Sequence, residues 1–270
     1  MLLNFYKMNG AGNDFVVIDN RKLDKNLSKE QIEALCDRHR GIGADGFLAV
    51  EPAESGADYK FRYYNADGGE AEMCGNGARC FGRFTAHLGA EVKELVSFET
   101  IAGELSAEMI GQEVRVNMSE PFDLDLDTGV EVEGLDAKVY FINTGVPHAV
   151  IFVDDLQNLD VQKFGAAIRY HEGFAPKGTN VNFAQVVGNQ HIAIRTYERG
   201  VEGETLACGT GMTACAIIHH LLTQEASPIK VDVKGGDTLT IGFEPKAENH
   251  FDKVTLQGPA DFVFEGQIEV

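Results

Sequence analysis

Short alternating or continuous apolar runs dominate the chain. They include Phe15 to Ile18, Tyr59 to Tyr64, Val114 to Val116, Lys138 to Ile142, Ala149 to Val153, His191 to Tyr197, Ile229 to Val233 and Thr238 to Phe243. Most are bounded by Gly, Asn or Asp, which predicts strands separated by turns. Four stretches carry a helical period instead. Ser28 and Gln31 form a capping box ahead of Ile32, Leu35, Cys36 and His39, which fall on one helix face. Asp160 caps a second helix, with Val161, Phe164 and Ile168 as its apolar stripe. The other two begin at Cys74 and Cys208. Ala78, Phe81, Phe84, Thr85 and Leu88 form the apolar face after Cys74, and Gly89 marks its end. The run after Cys208, from Met212 to Leu222, is apolar nearly all round, which predicts a buried helix. The expected class is α+β, with sheets packed around few helices.

One motif occurs twice, about half a chain apart. Met73-Cys74-Gly75-Asn76-Gly77-Ala78-Arg79-Cys80 returns in outline as Ala207-Cys208-Gly209-Thr210-Gly211-Met212-Thr213-Ala214-Cys215. Such a repeat suggests duplication into two similar domains. Ser119-Glu120-Pro121 follows a strand and reads as the joint, because proline stops a ladder. The expected division is 1–118, with a returning strand at about 258–270, and 119–257. Duplicated domains often face each other across a pseudo-twofold axis, so the expected site is a cleft between them.

Composition narrows the chemistry. The chain has 270 residues, 44% hydrophobic and 24% charged, a globular balance. The formal net charge of −19 repels phosphate backbones, so nucleic acid is not an expected partner. No run is long and apolar enough to span a membrane, and the N-terminal residues carry no secretion signal. Five cysteines, an odd number, suggest reduced thiols and a cytoplasmic location. Cys36, Cys80 and Cys215 read as packing residues inside helices. The pairs Cys74–Cys80 and Cys208–Cys215 are six and seven positions apart, unlike the usual zinc spacing, so no metal is expected.

Cys74 and Cys208 differ from the other three in standing directly before Gly-x-Gly and a helix. A helix N-terminus favours the thiolate through its unpaired N–H groups and its dipole. The glycines let backbone amides approach a carboxylate closely. Two such termini acting on one amino acid would place a thiol on each face of its α-carbon. One thiolate removes the proton, the other thiol supplies one, and the stereocentre inverts without a cofactor. Amides aimed at the carboxylate stabilise the developing charge, at about 2.7–4 kcal/mol per donor in other enzymes.

The same blocks resemble those of the diaminopimelate epimerase family. Lys7-Met8-Asn9-Gly10-Ala11-Gly12-Asn13-Asp14-Phe15 is similar to its opening signature. Asn65-Ala66-Asp67-Gly68-Gly69-Glu70 leading into Cys74-Gly75-Asn76-Gly77-Ala78-Arg79 is similar to its first catalytic block. Tyr197-Glu198-Arg199-Gly200, Glu204-Thr205 and Ala207-Cys208-Gly209-Thr210-Gly211 are similar to its second. The resemblance implies interconversion of LL- and meso-diaminopimelate, with Cys74 and Cys208 as catalytic thiols. Gly75, Asn76, Gly209 and Thr210 would bind the reacting carboxylate. Asn13, Asn65, Asn182, Glu198 and Arg199 would hold the rest of the substrate, and His148 and Glu198 would tune the thiols. It implies two similar domains, each a sheet wrapped on a central helix, no pyridoxal cofactor or metal, and a homodimer. Read without the resemblance, Asn13 and Asn65 are also good turn residues, Glu198 and Arg199 a surface pair, and His148 a core histidine. Two departures stand out. Val146 occupies the position of an Asn in many relatives, and Gly46 that of a Gln. Proline or hydroxyproline racemases share the cysteine motifs but usually have His where Asn76 stands. A fold relative lacking the thiols, and a non-enzymatic redox or metal-binding thiol module, are the remaining readings.

Overall fold

The computed structural model describes residues 1–89 and 94–270. It divides into two compact units, one of residues 1–117 and 257–270 and the other of residues 118–256.

The first unit contains β1 (Leu2–Gly10), β2 (Asn13–Asp19), α1 (Lys29–Cys36), β3 (Gly46–Glu51), β4 (Tyr59–Asn65), β5 (Glu70–Ala71), α2 (Gly75–Leu88), β6 (Leu95–Thr100), β7 (Gly103–Ile110) and β8 (Glu113–Asn117). The second contains β9 (Phe122–Asp125), β10 (Val139–Asn143), β11 (Pro147–Phe152), α3 (Val161–Arg169), β12 (Asn180–Gly188), β13 (His191–Glu198), β14 (Gly203–Thr205), α4 (Gly209–Thr223), β15 (Ile229–Asp232) and β16 (Thr238–Pro245). The chain ends with β17 (Phe251–Pro259) and β18 (Asp261–Glu269), and β18 pairs antiparallel with β1.

The two units repeat one connectivity. β1–β2, β3–β4, β4–β5 and β6–β7 are antiparallel, whereas β2–β3 and β4–β6 are parallel. In the second unit β10–β11, β12–β13, β13–β14 and β15–β16 are antiparallel, whereas β11–β12 and β13–β15 are parallel. Each parallel pair needs a crossover, and a helix supplies it. In each unit the first crossover contains the shorter helix, α1 or α3, and the second contains the cysteine-led helix.

Packing follows from the hydrophobic pattern. β2 and β3 are continuous apolar runs because both faces are covered. Ile32, Leu35 and Cys36 of α1 pack with Val16, Ile18, Phe47 and Ala49. Phe15 and Leu48 turn the other way, toward the start of α2. In the second unit Val161 and Ile168 of α3 pack with Ala149, Ile151, Val181 and Phe183. Strands covered on one face alternate instead, as Val114 and Val116 do in β8 and Leu239, Ile241 and Phe243 in β16. The central helices α2 and α4 are buried along most of their length, α4 from Gly209 to His219 except Thr210.

The local signals at the helix ends hold with two differences. Ser28 and Gln31 make the full capping box, and Asp160 accepts from the Lys163 N–H. However, α1 stops at Cys36, because the Asp37 carboxylate accepts from the N–H groups of His39 and Arg40 and bends the chain away. His39 is therefore exposed rather than on the buried face. Gly89 does end α2, but at φ −75° and ψ 143°, an extended conformation open to any residue.

One glycine position is sterically exacting. A Cβ on Gly82 of α2 would stand 2.4 Å from the Cβ of Ala107 on β7. That is more than 1 Å inside the best carbon–carbon separation. Gly82→Ala gains about 1 kcal/mol of helix propensity, but overpacking costs roughly 1–3 kcal/mol. The expected result is net destabilisation, read as a lower urea midpoint with an unchanged m-value. A raised midpoint would show that α2 can move off the sheet.

Candidate active site

In the first unit the site is built at the start of α2. Cys74 is its N-cap residue, with extended φ and ψ, and its Sγ lies 3.5 Å from the Gly77 N–H. A cap must reach the amides of the first turn, so the sequence position places the sulfur over the helix N-terminus. A Cβ at Gly77 would meet Cys74, Leu48 and Phe15 at 3.4–3.5 Å, so this turn is closely packed. Asn13 opens β2 and sets its Oδ1 3.6 Å from the Cys74 sulfur, where it accepts from the thiol. The same oxygen accepts from the Asn76 amide at 3.4 Å. Asn13 in turn donates to Asp45 at 2.7 Å. Asn65 closes β4, with its Oδ1 accepting from the Tyr63 hydroxyl at 2.8 Å. Asn65 is exposed, and Asn76 is buried with its Oδ1 unpaired.

Behind Asn13 lies a charged cluster that sequence reading did not identify. Lys7, buried in β1, pairs with Asp14 at 2.8 Å and donates to the Gly43 carbonyl. Arg38 forks onto Asp14 at 2.7 and 2.9 Å and reaches Asp45 at 2.7 Å. Burial by itself would raise the Asp14 pKa, but the Arg38 and Lys7 charges outweigh it and hold the carboxyl well below its ordinary range. These partners are 7 to 36 positions apart in sequence, so no local pattern announces them.

In the second unit the site is built at the start of α4. Cys208 is the N-cap residue, and Gly209 and Thr210 form the first turn. The Thr210 hydroxyl lies 3.5 Å from the Cys208 sulfur and 2.8 Å from Nε2 of His148. The Thr144 hydroxyl donates to the Thr210 carbonyl at 2.9 Å and holds this turn in place. His148 on β11 is fully buried, and burial, with the Arg199 charge, pushes its pKa down to about 3. Near neutral pH this favours the neutral imidazole. Asn182 on β12 is also fully buried. Its Nδ2 contacts His148 Nδ1 and the Ala149 carbonyl, each at 3.0 Å, and its Oδ1 accepts from the Thr196 hydroxyl. Gly211 makes this approach possible, since a Cβ there would stand 2.3 Å from the Asn182 Oδ1. Arg199 follows β13, with its backbone N–H bonded to Asn180 Oδ1 at 2.9 Å. Glu198 is the last residue of β13 and is half-buried.

The structure therefore gathers Asn13, Asn76 and Gly75 around Cys74, and His148, Asn182, Gly209 and Thr210 around Cys208. Asn65 stands at the end of the strand that leads into β5 and α2. Sequence reading missed Asp45, Thr144, Thr196 and Asn180. The last of these had a usable signal, because Asn180 and Asn182 share one face of β12 by strand alternation. Gly46 admits no side chain here, since a Cβ would meet the Tyr63 ring at 2.7 Å and the Tyr64 carbonyl at 2.8 Å. None of the other three thiols stands at a helix N-cap. Burial pushes Cys36 up to about 11 and Cys80 up to about 12, and raises Cys215 as well. Among the described residues no group of three or more His, Cys, Asp or Glu side chains is placed to hold a metal ion.

The family model for diaminopimelate epimerase matches residues 5–122 and 140–263. The diaminopimelate epimerase of Hydrogenobaculum sp. is 47% identical, over 99% of this chain and 98% of that protein. The diaminopimelate epimerase of Aquifex aeolicus is 45% identical, over 98% of each. Among solved structures, a PhzF-family phenazine biosynthesis protein from Bacillus anthracis superimposes with a TM-score of 0.72 at 16% identity, covering all of both chains. A hydroxyproline epimerase from Agrobacterium vitis superimposes with a TM-score of 0.69 at 16% identity, covering 99% of this chain and 91% of that one. At these identities the structural likeness speaks to the fold alone.

Proposed function

This chain belongs to the diaminopimelate epimerase family, and we propose that it interconverts LL- and meso-diaminopimelate by proton transfer between Cys74, Cys208 and one α-carbon. The observation that carries this reading is that each unit places a cysteine of the repeated motif at the N-cap position of its buried central helix. One such cap gives a thiol beside helix amides; the repeat gives the two that inversion requires.

In this mechanism the amides of Gly75 and Asn76, and of Gly209 and Thr210, bind the carboxylate next to the reacting carbon. A helix start leaves its first N–H groups without intrahelical acceptors, so they suit an anion. As the α-proton leaves, charge moves into the carboxylate, and these amides hold it. One thiolate takes the proton on one face while the other thiol delivers its own proton to the opposite face. Each turnover leaves the two thiols with exchanged protonation states, and proton exchange with water restores them for the next turnover in the same direction. Asn13 and Asn65, with Glu198 and Arg199, orient the rest of the substrate, and a guanidinium fork suits the distal carboxylate. No cofactor or metal enters the scheme.

The protein is also proposed to be a cytoplasmic homodimer that binds neither nucleic acid nor membrane. A net charge of −19 supports the second point. No helix of the described residues is long and apolar enough to cross a membrane. Phe262, Val263 and Phe264 of β18 are exposed apolar residues that an interface would cover.

Proton NMR in heavy water tests the reaction directly, with purified protein, LL-diaminopimelate, a thiol reductant and no added cofactor. Deuterium should enter one α-carbon as the meso form accumulates. Exchange on proline or hydroxyproline, with none on diaminopimelate, would overturn the substrate and keep the thiol chemistry. Silence on all three, with reduced thiols verified, would favour a non-enzymatic thiol module.

A further inference from the structure

The hydrogen bonds beside Cys208 have a defined direction, and it can be deduced from the one group in the chain that cannot reverse. The Ala149 carbonyl can only accept. The part of the Asn182 amide that faces it at 3.0 Å must therefore be the NH2. In that orientation the Thr196 hydroxyl donates to Asn182 Oδ1 at 3.0 Å. The NH2 that serves Ala149 also lies 3.0 Å from His148 Nδ1, so that ring nitrogen is an acceptor. A neutral imidazole with an accepting Nδ1 has its hydrogen on Nε2. Nε2 then donates to the Thr210 hydroxyl at 2.8 Å. With its oxygen receiving that bond, Thr210 directs its own hydrogen toward the Cys208 sulfur, 3.5 Å away.

We infer that Asn182, His148 and Thr210 form a one-way relay of hydrogen bonds that ends as a donor to Cys208 Sγ, and that Asn182 serves the reaction through this relay instead of touching substrate. Both amide hydrogens of Asn182 and its oxygen are engaged inside the second unit, and the side chain is fully buried. A donor at the sulfur favours the thiolate, since a thiolate accepts well and has no hydrogen of its own to offer. His148 is then neither acid nor base in the reaction. Its buried ring transmits orientation, and the nearby Arg199 charge further disfavours an imidazolium. The inference rests on the reading of Cys208 as one of two proton-transferring thiols. In its terms Asn182, Thr196 and His148 are positioning residues.

Two measurements decide it. The first is long-range 1H–15N NMR of enzyme labelled at histidine nitrogen, with His148 assigned by its absence from His148→Gln. The relay requires the Nε2–H tautomer at neutral pH. An Nδ1–H tautomer or an imidazolium would overturn it. The second is the pH dependence of Cys208 alkylation by iodoacetamide in a Cys74→Ser background. Thr210→Val should slow alkylation at neutral pH about tenfold, an upward shift of about one pKa unit, the size expected of one hydrogen bond to a charged group. Thr210→Ser should restore the rate. Asn182→Asp presents an acceptor to His148, reverses the chain and should behave like Thr210→Val. If Asn182→Asp does not fold, Asn182→Ala, which removes the donor to His148 Nδ1 and leaves the ring free to take either tautomer, takes its place and should shift the same way. Alkylation of Thr210→Val at the unsubstituted rate would overturn the relay. Turnover of diaminopimelate by the unsubstituted enzyme is read separately. Its absence would defeat the substrate assignment, while the tautomer and the alkylation profile still decide the relay.

Discussion

Cys74→Ser and Cys208→Ser are each expected to abolish epimerisation while leaving the fold intact. A serine hydroxyl is isosteric enough to cap the helix, and serine is a good N-cap residue. It is far too weak an acid to exchange a proton with an α-carbon at neutral pH. The loss is at least the contribution of one positioned general acid or base, about 10²–10⁴-fold. The informative readout is partial chemistry. With one thiol left, that thiolate can still remove the α-proton and return a solvent-derived one to the same face. Each single variant can therefore show deuterium exchange from one stereoisomer without inversion. The two variants should differ in which stereoisomer exchanges, and that difference assigns each thiol to a face. Near-normal epimerisation by either variant would end the two-base mechanism. Loss of exchange together with loss of the folded circular dichroism signal would assign the effect to structure instead.

Asp14→Asn is expected to be the most destabilising of the conservative changes around the first unit's site. It removes the carboxylate from buried Lys7 and half of the fork of Arg38. Breaking a buried pair by removing one partner costs roughly 3–5 kcal/mol. Arg38 is half-exposed, so its share is screened, and about 2–3 kcal/mol is expected here. The same pair predicts an acid dependence. The folded carboxyl has its pKa well below the unfolded value of about 3.9. The stabilisation is therefore present above that unfolded value and is lost as pH falls through the range below it toward the folded pKa. The melting temperature of the natural protein should drop steeply below about pH 4, and more shallowly in Asp14→Asn. Equal acid slopes in the two proteins would show that other carboxylates govern acid unfolding. Because Asp45 receives bonds from both Arg38 and Asn13, the substitution should also loosen Asn13 and raise KM more than it lowers kcat.

Much of the protein was legible without coordinates where the governing physics is local. A helix start is decided by the residue at the cap and the next three. So Ser28 with Gln31, Asp160, and the cysteines before Gly-x-Gly all marked their helices correctly. Strand runs were legible because burial on one face imposes alternation, and burial on both faces imposes continuity, as in β2 and β3. The repeated cysteine motif pointed to two similar halves, and the shared connectivity of the two units is the structural counterpart of that repeat. His39 shows the limit even of local reading. Helical period predicted a longer α1, but the Asp37 side chain competes for the backbone amides and ends it.

What only the tertiary structure decided was the set of partners each polar side chain finds and the direction of each bond. His148 and Asn182 are 34 positions apart, and His148 and Thr210 are 62 apart. No periodicity links residues at such distances; the parallel pairing of β11 with β12 and the docking of α4 bring them together. Asn180 and Asn182 occupy the same strand face and look alike in sequence. Only the fold sends one to the backbone of Arg199 and the other to His148. The cluster of Lys7, Asp14, Arg38 and Asp45 has the same origin, since an ion pair acts across space between elements remote in the chain. The residue types and helix starts of the chemistry were thus written in the sequence by local rules, whereas the electrostatic setting of each thiol was decided by burial and long-range contacts.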